Sequence, residues 1–199
     1  MIKAVEKVWT LPYFLDKEGE VHDKLIVLEE ELILASDFLH YMGQLLPILD
    51  KDESICSVSA WNVNGYEGLS EDPAAVFRVE DGFPGLGFMI RRGFYARFLD
   101  KHLSSCCRNR TWDGWTPAAS GNLTLTDVII PEVSRVYRRP HVGVSKDNSL
   151  LDELFGRQRA TNLVPYPLLK DTEQLVASRY DGGRCTSCWR RVTRYCRTI

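Results

Sequence analysis

The stretch Lys24-Leu25-Ile26-Val27-Leu28-Glu29-Glu30-Glu31-Leu32-Ile33-Leu34 sets the reading of the whole chain. Four apolar residues, Leu25 to Leu28, run directly into three carboxylates. A short continuous apolar run reads as a strand buried on both faces, the kind found in parallel sheets. In open α/β sheets ligands bind outside the carboxyl ends of such strands. Glu29, Glu30 and Glu31 then stand where a hard cation and a phosphorylated ligand would be held, and oxygen donors suit Mg²⁺ or Mn²⁺. The same three residues also read as a solvated acidic turn ahead of the next helix.

Around this stretch the chain predicts an α/β protein. Ser36 and Asp37 suit the start of a helix, and Phe38, Tyr41, Met42, Leu45, Leu46 and Leu49 follow at helical spacing. Pro47 predicts an irregular last turn. Ile55 to Trp61 reads as a second strand and ends in the turn-rich Asn62-Val63-Asn64-Gly65. A short strand follows at Ala75 to Val79. In Phe83-Pro84-Gly85-Leu86-Gly87-Phe88 the proline and glycines set an unusual backbone path. Gly93 to His102 reads as helix, Val128 to Val133 as a strand around Pro131, and Leu150 to Phe155 as a short helix.

Residues 104–126 are polar and hold Trp112-Asp113-Gly114-Trp115. Aromatic faces stack on sugar rings, and an apolar wall raises a carboxylate towards a useful base. The same residues also describe a loop pinned by its aromatics, with Asp113 making a turn. Arg138-Arg139-Pro140-His141-Val142-Gly143-Val144-Ser145 reads either as a phosphate-binding loop, through arginine and Ser145, or as plain surface.

The 199 residues are 44% hydrophobic and 26% charged, enough for one domain with a real core. The formal net charge is -2, which offers no global basic field for nucleic acid. No apolar run has the length of a membrane helix. Met1 to Trp9 carries no leader signature; Ile2, Val5, Val8 and Trp9 predict an amphipathic helix, and taken literally that places the chain in the cytosol. The sequons at Asn109 and Asn122 lean instead toward the secretory pathway. Residues 179–199 change character, with six arginines and Cys185, Cys188 and Cys196. Cys185-Thr186-Ser187-Cys188 has zinc-knuckle spacing without a second pair, so this tail reads as poorly ordered.

Four blocks in order resemble the inverting β-1,2-N-acetylglucosaminyltransferases. They are Val27 to Leu32, Val58-Ser59-Ala60-Trp61-Asn62 with Gly65, Pro84-Gly85-Leu86-Gly87, and Trp112-Asp113-Gly114-Trp115. Two weaker echoes follow at Pro131-Glu132-Val133-Ser134-Arg135 and Gly143-Val144-Ser145. Within the family, Gly65-Tyr66-Glu67, Glu71-Asp72-Pro73-Ala74, Phe77-Arg78-Val79 and Arg91-Arg92 are most similar to the enzymes acting on protein O-linked mannose. The resemblance covers roughly residues 20–150. It implies a GT-A-type fold, a mixed sheet with flanking helices, over residues 1–178. It also implies UDP-N-acetylglucosamine as donor, Mn²⁺ as cofactor, a mannose-terminated glycoprotein acceptor and the Golgi lumen, with a membrane anchor in a full-length form. By the resemblance Asp113 is the catalytic base, Glu29 meets the donor sugar, Glu30 the ribose and Glu31 the metal. Trp112 and Ser145 belong to the substrate site, Ser145 in the loop closing over the diphosphate.

Four departures accompany the resemblance. The family's metal residue is an aspartate where this chain has Glu31, which moves the carboxylate by roughly 1.5 Å. Gly114 replaces an acidic residue. Two family cysteines that pair as a disulfide fall on Ser57 and Val128, with Cys56 one place off. The family's first, uracil-holding strands lie upstream of the acidic motif, where this chain has about 24 residues, so a sheet edge is expected to be exposed. These departures support a rival reading, a catalytically inactive fragment or relative that binds carbohydrate or a partner. A third reading is a cytosolic α/β domain with an incidental acidic turn.

Overall fold

The computed structural model describes residues 22–29, 31–79, 85–96, 127–138 and 156–180. Its strands are β1 (Lys24–Val27), β2 (Leu32–Leu34), β3 (Ile55–Ser59), β4 (Val76–Val79), β5 (Phe88–Arg91), β6 (Asp127–Pro131) and β7 (Val136–Arg138). Helix α1 spans Phe38–Lys51, a single short turn α2 spans Arg92–Phe94, and a 3-10 turn spans Thr172–Leu175. Five strands form one mixed sheet in the order β1-β5-β3-β6-β4, and β2 and β7 form a separate ribbon. Among the described pairs only β3 and β6 run parallel. The class is α/β, as expected.

The opening strand differs from its reading. β1 is an edge strand of the described sheet, antiparallel to β5, and only Val27 is fully buried. Its apolar run reflects one face on the core and one partly covered face. The central strand is β3, buried at all five positions despite Cys56, Ser57 and Ser59. Those short polar side chains meet partners inside: Ser59 Oγ accepts from Trp61 N–H at 3.0 Å, and Cys56 Sγ lies 3.3 Å from Ser57 Oγ. Ser57 and Val128 are register partners on β3 and β6, so the two positions where the resemblance implies a bridged cysteine pair are direct neighbours.

Helix α1 covers the sheet with most of the expected stripe, Ile48 being buried where Leu46 was expected and Leu46 only partly so. Phe38, Tyr41, Met42, Leu45, Ile48 and Leu49 are buried and join Ile55, Val58, Met89 and Ile129 in one core. The expected irregularity at Pro47 does not occur: the helix runs on to Lys51, and Asp52 N–H still reaches Ile48 O at 3.1 Å. Burial of Leu45, Ile48 and Leu49 on both sides of the proline holds those turns in place. The helix begins at Asp37 rather than Ser36, and Asp37 makes no side-chain cap bond because its carboxylate is used elsewhere.

Gly85 and Gly87, just ahead of β5, adopt positive φ as the unusual path predicted there requires, while Phe83 and Pro84 lie outside the described residues. Gly87 has φ +58°, and a Cβ there would stand 2.9 Å from Val136 Cγ1, so only glycine lets the β2–β7 ribbon approach.

A buried ion cluster ties the far end of the sheet to the 3-10 turn. Arg78 donates to Asp127 Oδ2 at 2.5 Å, to Asp52 Oδ2 at 2.8 Å, to Leu175 O at 2.7 Å and to Ser54 Oγ at 2.7 Å. Its guanidinium lies 5.2 Å from the centroid of the Tyr180 ring. Burial pushes the Asp52 carboxyl up, but hydrogen bonds from Ser54, Ala177 N–H and Arg78 outweigh it and hold the carboxyl at about 2 instead of 3.8. A depressed carboxyl contributes stability above its unfolded value, and that contribution is lost as pH falls through the folded one. Unfolding free energy is therefore expected to fall by roughly 2 kcal/mol between about pH 5 and pH 2 from this group. Denaturant titrations of the wild type and Asp52→Asn at several acid pH values check it, the variant losing this part of the slope.

Candidate active site

Glu29 follows the end of β1, half-buried, and Glu31 stands at the entry to β2. Glu31 has φ +68°, a left-handed conformation that a long side chain adopts only under constraint. Its Oε2 is buried with no hydrogen-bond partner among the described residues. A buried carboxylate oxygen without a donor is costly in isolation, and a cation would satisfy it. The strain and the orphaned oxygen fall on the residue that the resemblance makes the metal ligand.

The β2–β7 register pairs Leu32 with Arg138, which brings Arg138 to the same ribbon end as Glu31. Arg138 Nε is also buried with no hydrogen-bond partner among the described residues. The structure thus places one arginine of the predicted phosphate-binding segment beside the acidic run. Glu30, Trp112, Asp113 and Ser145 lie outside the described residues, as do the N-terminal helix expected from Met1, the helix expected at Leu150 to Phe155 and the cysteine-rich tail beyond Tyr180.

No group of three or more His, Cys, Asp or Glu side chains forms a ready cation cage among the described residues. A small hard cation does not require one, since one or two carboxylates and the phosphates of a substrate commonly complete its shell. Glu31, with its orphaned oxygen, fits that arrangement.

Sequence reasoning missed the residues that fix the site's surroundings. Arg135, in the Pro131-to-Arg135 block, is fully buried. Its Nε donates to Asp37 Oδ2 at 2.7 Å, and its terminal nitrogens donate to Val133 O and Pro73 O. Tyr41 lies beneath it, the guanidinium 5.3 Å from the ring centroid. In the same block Ser134 Oγ accepts from Asn62 N–H at 3.0 Å, and Glu132 O accepts from Asn62 Nδ2 at 2.8 Å. The Val58-to-Asn62 block and the Pro131-to-Arg135 block are therefore one structural unit. Arg159 clamps a third piece onto it, stacking on Trp61 at 4.1 Å and on Tyr66 at 4.4 Å and donating to Val63 O at 3.0 Å. Burial pulls the Arg159 guanidinium below its ordinary value, countered by Tyr66. Partners so distant in sequence leave no local signal beyond the motif blocks themselves.

The described fold is a mixed α/β sheet with the acidic run between β1 and β2. A sequence model of the GNT-I family matches residues 8–159, and the chain belongs to that family. Over 114 residues it is 34% identical to an alpha-1,3-mannosyl-glycoprotein 2-beta-N-acetylglucosaminyltransferase of Arabidopsis thaliana, across 57% of this chain and 24% of that protein. The matched stretch thus spans about a quarter of the relative's length. The resemblance drawn from the motif blocks holds at the level of the family.

Proposed function

We propose that this chain carries the acidic-motif part of an inverting N-acetylglucosaminyltransferase. It would move N-acetylglucosamine from UDP-N-acetylglucosamine in β-1,2 linkage onto a terminal mannose of a glycoprotein in the Golgi lumen. The observation that supports this reading best is Glu31: the motif resemblance implies a metal ligand at its position, and a strained backbone and an orphaned buried oxygen are compatible with a metal-holding carboxylate. No helix among the described residues is long and apolar enough to cross a membrane.

In this reading Glu31 holds Mn²⁺, Glu29 meets the donor sugar and Glu30 the ribose. Mn²⁺, when bound, absorbs charge on the departing diphosphate. Asp113 takes the proton of the acceptor hydroxyl, whose oxygen bonds to the anomeric carbon as the carbon–oxygen bond to UDP breaks. Trp112 provides an aromatic wall for a sugar ring, and Ser145 and Arg138 face the diphosphate.

The test is transfer of labelled N-acetylglucosamine to mannose-terminated acceptors, O-mannosyl peptide and N-glycan side by side, with Mn²⁺ and with chelator. Transfer to either acceptor that stops with the chelator supports the reading; a folded protein with no transfer to both contradicts it. Glu31 itself gives a sharper check. Glu31→Asp is expected to hold Mn²⁺ as well as or better than the wild type, because aspartate tolerates the left-handed backbone more easily. Glu31→Gln is expected to lose affinity about tenfold or more, since the charged donor is gone. Titration of Mn²⁺ followed by water-proton relaxation reads both, and an unchanged Glu31→Gln would remove Glu31 from the metal's shell.

A further inference from the structure

Helix α1 is apolar on the side turned away from the sheet as well as on the side it buries. Leu39 is 70% exposed, and Gly43 and Pro47 are exposed further along the same side. A Cβ added at Gly43 would meet no heavy atom within 4 Å, so this stripe has a shallow notch at its centre. Leu46, at its margin, is only partly buried. A helix that is apolar nearly all round belongs in an interior, covered on both sides.

One flank of the stripe is bounded by residues 162–169, which are tied to α1 at helical spacing. Asn162 Nδ2 donates to Asp37 Oδ2 at 2.9 Å, and Tyr166 stands edge-on to His40 with ring centroids 5.6 Å apart. Gln44 donates to Pro167 O at 3.1 Å and accepts from Leu169 N–H at 2.8 Å. This strap adds Leu163, 87% exposed, and Leu168, 76% exposed. At the far end of the stripe Asp50 Oδ1 accepts from Lys24 Nζ, at the start of β1. The chain therefore enters the described sheet beside the C-terminal end of the stripe.

What precedes Lys24 supplies the cover. Met1 to Trp9 reads as an amphipathic helix, with Ile2, Val5, Val8 and Trp9 on one side and Lys3, Glu6 and Lys7 on the other. Nine helical residues span roughly 13 Å, against roughly 16 Å from Leu39 to Asp50. Residues 10–21 join Trp9 to His22. Fully extended they reach about 40 Å, enough to return along α1. So short a tether gives the segment an effective concentration of about millimolar, which favours it over a second copy of the chain in dilute solution.

We propose that Met1 to Trp9 docks as a helix across α1, seating Ile2, Val5 and Val8 on Leu39, Gly43 and Pro47. The inference rests on this face and not on the transfer reaction, so it stands or falls without donor or metal.

The test is photo-crosslinking of the full chain with benzoylphenylalanine in place of Leu39, the products mapped by mass spectrometry. Crosslinks to residues 1–9 in a species of monomer mass are expected. Crosslinks between two copies would make the stripe a self-association face, and crosslinks only to other residues, or none, would leave it without this cover; each overturns the proposal. Hydrogen exchange gives a second readout on the natural side chains. The amides of residues 1–9 are expected to exchange about tenfold or more slowly in the wild type than in Val5→Asp or Leu39→Asp. Unchanged exchange in the sheet separates lost docking from unfolding. Equal exchange of residues 1–9 in the wild type and both variants would overturn the proposal as well.

Discussion

Replacing Arg135 by alanine is expected to cost about 3–5 kcal/mol, because it leaves a buried aspartate without its counter-charge. For a chain of this size that is a fall in Tm of roughly 6–20 °C. The side chain is fully enclosed and joins three otherwise separate pieces: Asp37 at the head of α1, Val133 in the turn after β6, and Pro73 ahead of β4. Its loss strands the Asp37 carboxylate, a carbonyl from each of two loops, and the face of Tyr41. Burial drives the Tyr41 hydroxyl strongly up, so Tyr41 stays neutral and offers no substitute charge. Arg135→Lys is expected to recover only a part, since one ammonium cannot reproduce the three-way fork. Removing both charges together, Arg135→Met with Asp37→Asn, is expected to be milder than Arg135→Ala alone, since no unpaired charge is left inside. Thermal denaturation of the three variants decides it. A midpoint for Arg135→Ala within a degree of the wild type would mean that the pair contributes nothing to the fold.

The second large effect belongs to the chemistry. If Asp113 removes the acceptor proton, Asp113→Asn is expected to lower the transfer rate by about 10²–10⁴-fold, the usual contribution of a positioned base. Donor affinity is expected to hold, because in the proposed function the donor would be held by the acidic turn and not by Asp113. Rates under saturating donor, set beside equilibrium donor binding, separate the two. A variant that loses donor binding in step with transfer would make Asp113 a structural residue of its loop.

How legible these features were depends on how local their causes are. Helix α1 is written into the sequence by its apolar stripe, since each turn repeats the same burial. Its passage through Pro47 is not, because what holds it is packing by Leu45, Ile48 and Leu49 against the sheet. The exchange of roles between β1 and β3 has the same origin. Leu25 to Leu28 look more central than Ile55-Cys56-Ser57-Val58-Ser59, yet centrality is set by which distant strands pair, and β3 gains β5 on one side and β6 on the other. Small hydroxyls and a thiol can be buried there because they find partners within the strand and its turn. β1 is an edge strand of the described sheet, and residues 1–21 lie outside the described residues.

At the site, Glu31 was legible as one of three consecutive carboxylates beyond an apolar run, and its strain appears only in the backbone. Asp37 was legible as a residue of the first helical turn but not as the partner of Arg135, 98 positions away. Arg159 on Trp61 has no signature at all in one sequence, because a cation over an aromatic ring is a fact of the folded chain. The motif blocks therefore carry two kinds of information. Val27 to Leu32 carries the proposed chemistry, whereas Val58 to Asn62 and Pro131 to Arg135 hold each other in one structural unit.

In the proposed function this chain would grip a nucleotide sugar through a metal at Glu31. Calorimetric titration of UDP-N-acetylglucosamine into the purified chain, with Mn²⁺ and then with a chelator, tests it most directly. Saturable binding that needs Mn²⁺ and disappears in Glu31→Gln is the predicted result. A folded protein that binds no donor, or that binds it equally well with the chelator present, would contradict it.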